Sequence, residues 1–188
     1  SILSEGLALV AAGYKELVLT GIHLASYRGE NGEGLMDAVE ALAGVDGLAR
    51  IRLGSLEPSL LTEDFARRAA ACPPLCPQFH VSLQSGSAAV LRRMGRRYTP
   101  EEYKGALTTL RKQLPQAALT TDIIVGFPGE TEEEFQESLS FVRDCAFSRI
   151  HVFPYSPRKG TPAADMKEQL PKARKHERAK EMIALGET

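Results

Sequence analysis

Residues 119–134, LTTDIIVGFPGETEEE, limit what this chain can fold into more than any other stretch. Ile123, Ile124 and Val125 are consecutive and β-branched, the pattern of a strand buried on both faces of a parallel sheet. Gly126 and Gly129 bracket Phe127 and Pro128, so the backbone turns sharply where a small ligand can approach it. Thr131 and Glu134 stand at capping-box spacing, and Phe135, Leu139, Val142 and Ala146 mark the buried face of the helix that follows. The result is a strand–turn–helix unit with its loop at the strand's carboxyl end, where α/β folds bind ligands. A phosphate-gripping loop needs bare amides and a lysine at the helix start. Here Glu132, Glu133 and Glu134 fill that first turn and repel an anion, so a nucleobase edge or a ribose fits better. An ordinary, well-capped strand–turn–helix is the plain alternative.

The rest of the chain repeats the alternation. Leu3, Leu7, Val10 and Tyr14 fall at helical spacing before Gly13 and the strand of residues 16–24, which turns at Thr20-Gly21. Residues 50–56 (RIRLGSL), 79–83 (FHVSL) and 149–155 (RIHVFPY) read as further strands, each followed by a polar loop and a helical stripe. Thr99-Pro100-Glu101-Glu102 caps the helix carrying Tyr103, Leu107, Leu110 and Leu114. This alternation predicts an α/β fold with a parallel sheet and right-handed crossovers. A barrel or partial barrel fits better than a doubly wound nucleotide fold, because no G-x-G-x-x-G follows the first strand. Thr20, His23, Ser55, Glu57, Gln84, Ser85, Asp122, Tyr155 and Ser156 then collect at strand ends, which share one rim in a barrel.

Charge and cysteine usage exclude several classes. The formal net charge of −1 gives no global attraction to nucleic acid or membrane, and no apolar run nears the roughly 20 residues of a membrane helix. Three cysteines are too few for a disulfide scaffold, and no signal peptide opens the chain, so a cytoplasmic protein is expected. Cys72-Pro-Pro-Leu-Cys76 looks like half a metal site, but position 79 is Phe79 and the prolines suit a loop entering a strand; no metal site is expected. Arg92, Arg93, Arg96 and Arg97, beside Tyr98, form a local basic patch that serves either phosphate contact or a solvated helix face. The basic helix after Leu170 reads as a solvated face, with RNA contact the second reading.

TGIHL at 20–24, RLGSLEP at 52–58, HVSLQSGS at 80–87, RRMGRRYT at 92–99, TTDIIVGFPGETEEEF at 120–135 and HVFPYSPRKGTPAA at 151–164 occur in that order over nearly the whole chain. Together they resemble the radical S-adenosylmethionine methylthiotransferases. TGIHL and RLGSLEP look most like the branch acting on threonylcarbamoyladenosine in tRNA, with the isopentenyladenosine and ribosomal-protein branches as alternatives. The resemblance implies a cytoplasmic, tRNA-modifying transferase with three parts: an amino-terminal domain with an auxiliary iron–sulfur cluster, a central radical domain, and a carboxyl-terminal β-domain that grips RNA. In such an enzyme a 4Fe-4S cluster on a C-x-x-x-C-x-x-C loop reduces S-adenosylmethionine, and a methylthio group is placed on the modified adenosine beside the anticodon. The sulfur and electron donors are not implied.

C-x-x-x-C-x-x-C does not occur here, and in the family it precedes the point where this sequence starts. The resemblance therefore implies one domain over residues 1–188: a partial (β/α) barrel of the radical S-adenosylmethionine type without its first strand and cluster loop, and inactive alone. The two 4Fe-4S clusters and the tRNA anticodon stem-loop would belong to the intact parent. Carried over by position, the cofactor-binding candidates are Thr20, Gly21, Ser55, Glu57, Gln84, Ser85, Asp122, Val125, Gly126, Phe153 and Tyr155. Arg93, Arg96, Arg158 and Thr161 are candidates for contacts to substrate or to a carboxylate. No catalytic residue is assigned. A cluster-free barrel binding S-adenosylmethionine, a nucleoside or RNA is the reading from another functional class.

Overall fold

Strands and helices alternate throughout residues 1–186, which the computed structural model describes. The chain divides into two compact units, residues 1–81 with 105–118, and residues 82–104 with 119 onward.

In the first unit, α1 (Ile2–Ala11) is capped by Ser1, whose Oγ accepts from the Ser4 amide at 3.4 Å. The helix is where its periodicity predicts, but Leu3 and Leu7 lie on its outer face, 37% and 51% exposed. Its buried point is Gly6, packed so closely on Leu42 that a Cβ would collide with it. β1 (Glu16–Leu19) runs parallel to β2 (Arg50–Leu53) in the register Glu16 to Arg50 through Leu19 to Leu53. Glu16 bridges Arg50 and Arg52 across that pair, at 2.5 and 3.1 Å. α2 (Leu35–Ala43) buries Leu35, Val39 and Leu42, and α3 (Glu63–Ala70) buries Phe65, Ala66 and Ala69 behind a Thr62 cap. Arg68 ties the two helices together through Asp37 and Glu40, at 2.5 and 2.7 Å. β3 (Gln78–His80) lies beside β2 through parallel bridges from Ile51 to Leu75 and from Leu56 to Val81. The Cys72–Cys76 segment is the lead-in to that strand, with the Cys76 amide donating to the Ile51 carbonyl at 2.9 Å.

The second unit contains α4 (Ala88–Arg93), the start of α5 (Pro100–Gln113), most of β4 (Ala118–Val125), α6 (Glu132–Cys145), β5 (Arg149–Pro154) and α7 (Lys172–Gly186). β4 and β5 are parallel, pairing Asp122 with His151 and Ile124 with Phe153. Burial along β4 alternates strictly: Leu119, Thr121, Ile123 and Val125 are buried, while Thr120, Asp122 and Ile124 are half-buried. The strand is thus not buried on both faces. The three β-branched residues hide a period of two, because the Ile124 face lines a cleft instead of a core. Tyr103, wholly buried, packs among Tyr98, Phe141 and Phe147 with ring centres 6.2, 6.3 and 6.2 Å away. Phe135, Leu139 and Val142 face inward on α6 as expected, but Ala146 does not. It is exposed and left-handed (φ +47°), forming the cap that ends the helix.

Candidate functional site

β4 ends in a loop whose amides are already occupied. The Gly126 amide donates to Glu130 Oε2 at 2.7 Å, and the Gly129 amide to the Glu168 carbonyl at 2.8 Å. Phe127 and Pro128 are buried, so the corner is closed to a ligand from that side. Glu130 is itself only 4% exposed and meets Arg178 of α7, equally buried. Arg178 Nη1 donates to Glu130 Oε2 at 2.7 Å and to the Glu130 carbonyl at 3.0 Å, while Nη2 reaches Glu132 at 3.1 Å. Burial pushes the Glu130 carboxyl up; the Gly126 amide and Arg178 pull against that shift. Arg174 also binds Glu132, at 2.6 Å, and Arg93 binds Glu134 through both guanidinium arms, at 2.9 and 2.5 Å. The expected anion repulsion at this helix start is therefore offset by Arg93, Arg174 and Arg178.

These contacts also overturn the expectation that α7 presents only a solvated basic face. Lys175 and Arg178 are buried. The Lys175 stem packs on Gly126, where a Cβ would stand 2.6 Å from Lys175 Cγ, and Gly126 has φ +69°. Lys175 Nζ donates to the Tyr155 carbonyl at 3.2 Å and lies 4.9 Å above the centre of the Tyr155 ring.

Beside this scaffold a cleft of about 430 Å³ opens over the carboxyl ends of β4 and β5. Ile124, Phe153 and Pro154 line it from the strands, Gln84, Asp122, Tyr155 and Ser156 supply polar groups, and Arg158, Thr161 and Ala163 complete the lining. Phe153 leaves 52% of its surface open, an unusual state for a phenylalanine on a sheet. Tyr155 packs edge-on to Phe127 at 5.2 Å, and its enclosed hydroxyl has no hydrogen-bond partner among the described residues. Gln84 is left-handed at φ +74°, yet its amide donates to the Asp122 carbonyl at 2.9 Å and its carbonyl accepts from Ile124 at 2.8 Å. Continued pairing with β4 thus holds Gln84 in a conformation that non-glycine residues rarely adopt. An exposed aromatic face, convergent polar groups and backbone strain make this concavity suitable for a flat, neutral, hydrogen-bonding ligand.

The Radical SAM superfamily model matches residues 2–142. The chain belongs to the radical SAM superfamily. Threonylcarbamoyladenosine tRNA methylthiotransferase MtaB of Bacillus subtilis is 44% identical over 192 residues, spanning 99% of this chain and 42% of the relative. A tRNA-2-methylthio-N(6)-dimethylallyladenosine synthase of Streptomyces coelicolor is 45% identical over 188 residues, spanning 99% of this chain and 37% of the relative. The chain therefore spans about two fifths of the length of these curated relatives. Among solved structures, coproporphyrinogen III oxidase of Escherichia coli, a radical SAM enzyme, superposes with a TM-score of 0.74 at 18% identity. That match covers 97% of this chain and 43% of the other, and it places the α/β fold among radical SAM enzymes.

Within this radical SAM chain, the cleft brings together Gln84, Asp122, Phe153, Tyr155, Ser156, Arg158 and Thr161 of the residues singled out in the sequence. Ile124, Pro154 and Ala163 join them unforeseen; for Ile124 the signal was available in the alternation Thr120, Asp122, Ile124. The other candidates lie elsewhere. Val125 is wholly buried, Gly126 is covered by Lys175, and Ser85 is buried with its Oγ accepting from the Ser87 amide at 3.2 Å. Arg93 is committed to Glu134 and to the Gly129 carbonyl, and Arg96 is exposed outside the cleft. In the first unit, Thr20 lines a separate cavity of about 390 Å³ with Tyr14, Leu17 and Leu42. Gly21, Ser55 and Glu57 are exposed, with His23 Nε2 3.5 Å from Glu57 Oε1. No helix among the described residues is long and apolar enough to cross a membrane.

Proposed function

We propose that this chain is the central domain of a tRNA methylthiotransferase acting on threonylcarbamoyladenosine beside the anticodon, and that the cleft over β4 and β5 is its nucleoside site. The observation that carries the reading is that cleft: it gathers residues of the two motifs, TTDIIVGFPGET and HVFPYSPRKGT, that follow the methylthiotransferase pattern. In this reading Phe153 stacks on adenine, Gln84 and Asp122 hydrogen-bond its edge or the ribose, and Tyr155 closes the back wall. Arg158 and Thr161 contact substrate. Thr20, Gly21, Ser55, Glu57 and Ser85 are kept as candidates for contacts to the cofactor. Arg93 and Arg96 are kept as contacts to the RNA-bearing substrate, Arg93 only by exchanging its present partner. The forms TGIHL and RLGSLEP favour the threonylcarbamoyl branch over the dimethylallyl one.

S-adenosylmethionine, when bound, supplies the methyl and deoxyadenosyl groups of this chemistry. Among the described residues, no three His, Cys, Asp or Glu side chains lie together as a metal site. Cys72 and Cys145 are buried, and Cys76 half-buried. We propose that the iron–sulfur clusters and the RNA-gripping surface belong to the remainder of a longer protein, a reading supported by the chain spanning about two fifths of its relatives. Calorimetric titration with N6-threonylcarbamoyladenosine tests the cleft. Binding is expected, and Phe153→Ala should weaken it by roughly 5- to 150-fold, the worth of one base–aromatic stack. Unchanged affinity in that variant counts against the assignment. For the substrate, a parent enzyme that converts only dimethylallyladenosine stem-loops would contradict the threonylcarbamoyl reading.

A further inference from the structure

The N6 groups named for the two kinds of relative differ in kind. A threonylcarbamoyl group carries a carboxylate, a hydroxyl and a urea, whereas a dimethylallyl group is an uncharged branched alkene. Pockets discriminate weakly by a methylene more or less and strongly by polar groups that one ligand pairs and the other leaves unpaired. The discriminating group is therefore to be sought among the polar residues of the cleft. Asp122 carries the wrong charge for a carboxylate, and Gln84, Ser156 and Thr161 are neutral. Arg158 is the one cation lining the cleft among the described residues.

Its surroundings suit the task. Arg158 has no ion pair among the described residues, so its guanidinium is uncommitted. The turn that carries it is fixed: Thr161 donates to the Arg158 carbonyl from its amide at 3.1 Å and from Oγ1 at 2.7 Å. The Ala164 amide then donates to the Thr161 carbonyl at 3.0 Å, and Gln169 Nε2 to the Ala163 carbonyl at 2.9 Å. A planar fork mounted on an ordered turn matches a carboxylate bidentately, which a lysine cannot do.

We propose that Arg158 is the specificity-determining residue of the cleft and binds the carboxylate of an acidic N6 substituent on adenosine. The inference rests on the reading of the cleft as a nucleoside site. The test titrates the chain with N6-threonylcarbamoyladenosine, its carboxamide analogue and N6-dimethylallyladenosine, none of which carries phosphate. The acid should bind about tenfold tighter than the carboxamide, the usual gain from a charge-assisted pair at a partly open site. Added salt should shrink that ratio. Arg158→Gln should abolish the ratio by weakening the acid far more than the carboxamide or dimethylallyl ligands, and Arg158→Lys should restore part of it. An unchanged ratio in Arg158→Gln overturns the inference and leaves the site standing, as does a loss seen only with phosphorylated stem-loops. Failure of all three nucleosides to bind overturns the reading of the cleft, and the inference with it.

Discussion

Gln84 shows how much a single backbone conformation can indicate. A left-handed, non-glycine residue costs about 1–3 kcal/mol and persists only where its surroundings enforce it. At Gln84 the two hydrogen bonds to β4 do so, and the side chain is delivered to the cleft. Gln84→Gly should leave stability equal or higher by up to about 1 kcal/mol, while weakening nucleoside binding. Urea unfolding and calorimetry on the same samples check both halves, and a variant that loses stability but not affinity contradicts the account. Gly126 is the converse case. Its φ of +69° and the Lys175 stem 2.6 Å from a would-be Cβ predict that Gly126→Ala costs about 2 kcal/mol, measurable as a lower urea midpoint at unchanged slope. Glu134 brings in pH. The Arg93 guanidinium holds its carboxyl below the ordinary 4.5, so the pair's stabilisation is present above that value and lost as pH falls through the folded value. Glu130, pushed up by burial, takes a proton more readily when folded and works in the opposite direction. Thermal unfolding followed from neutral to acid pH should fall less steeply in Glu134→Gln than in the parent; parallel curves would remove Glu134 from the explanation.

At the scale of elements, α7 is the piece whose role the residues conceal. Its lysines and arginines read as a solvated face, because nothing local announces that Lys175 and Arg178 find partners at Tyr155 and Glu130, 20 and 48 positions away. The capping box at Thr131, by contrast, was legible because both of its partners lie within one turn. β4 was legible in place but not in facing: three β-branched residues in a row satisfy two burial patterns, and only the cleft beside Ile124 chooses between them. The Glu130–Arg178 pair also makes α7 part of the scaffold behind the cleft. Removing one partner leaves a buried charge, so Glu130→Ala should cost about 3–5 kcal/mol. Replacing both with apolar residues of similar size should recover most of it. A double-mutant cycle in urea measures this, and additive losses would mean the pair is not coupled.

For the molecule as a whole, the alternation of strands and helices was enough to predict parallel α/β architecture, since only crossover connections join parallel strands. The division into two units was not visible in the sequence, where no linker or change of composition marks residues 81, 104 or 118. The rim of polar strand ends was only partly legible for the same reason. Strand ends can be read from local pattern, but which of them share a cavity is set by register and by a strained residue such as Gln84. The claim that most needs a direct test is that the cleft over β4 and β5 binds the nucleoside portion of the ligand. Backbone-resolved NMR of the chain titrated with N6-threonylcarbamoyladenosine tests it, with shifts expected to concentrate at Gln84, Asp122, Phe153, Tyr155, Ser156 and Arg158. Shifts confined to the cavity around Thr20, or the absence of any, would contradict it.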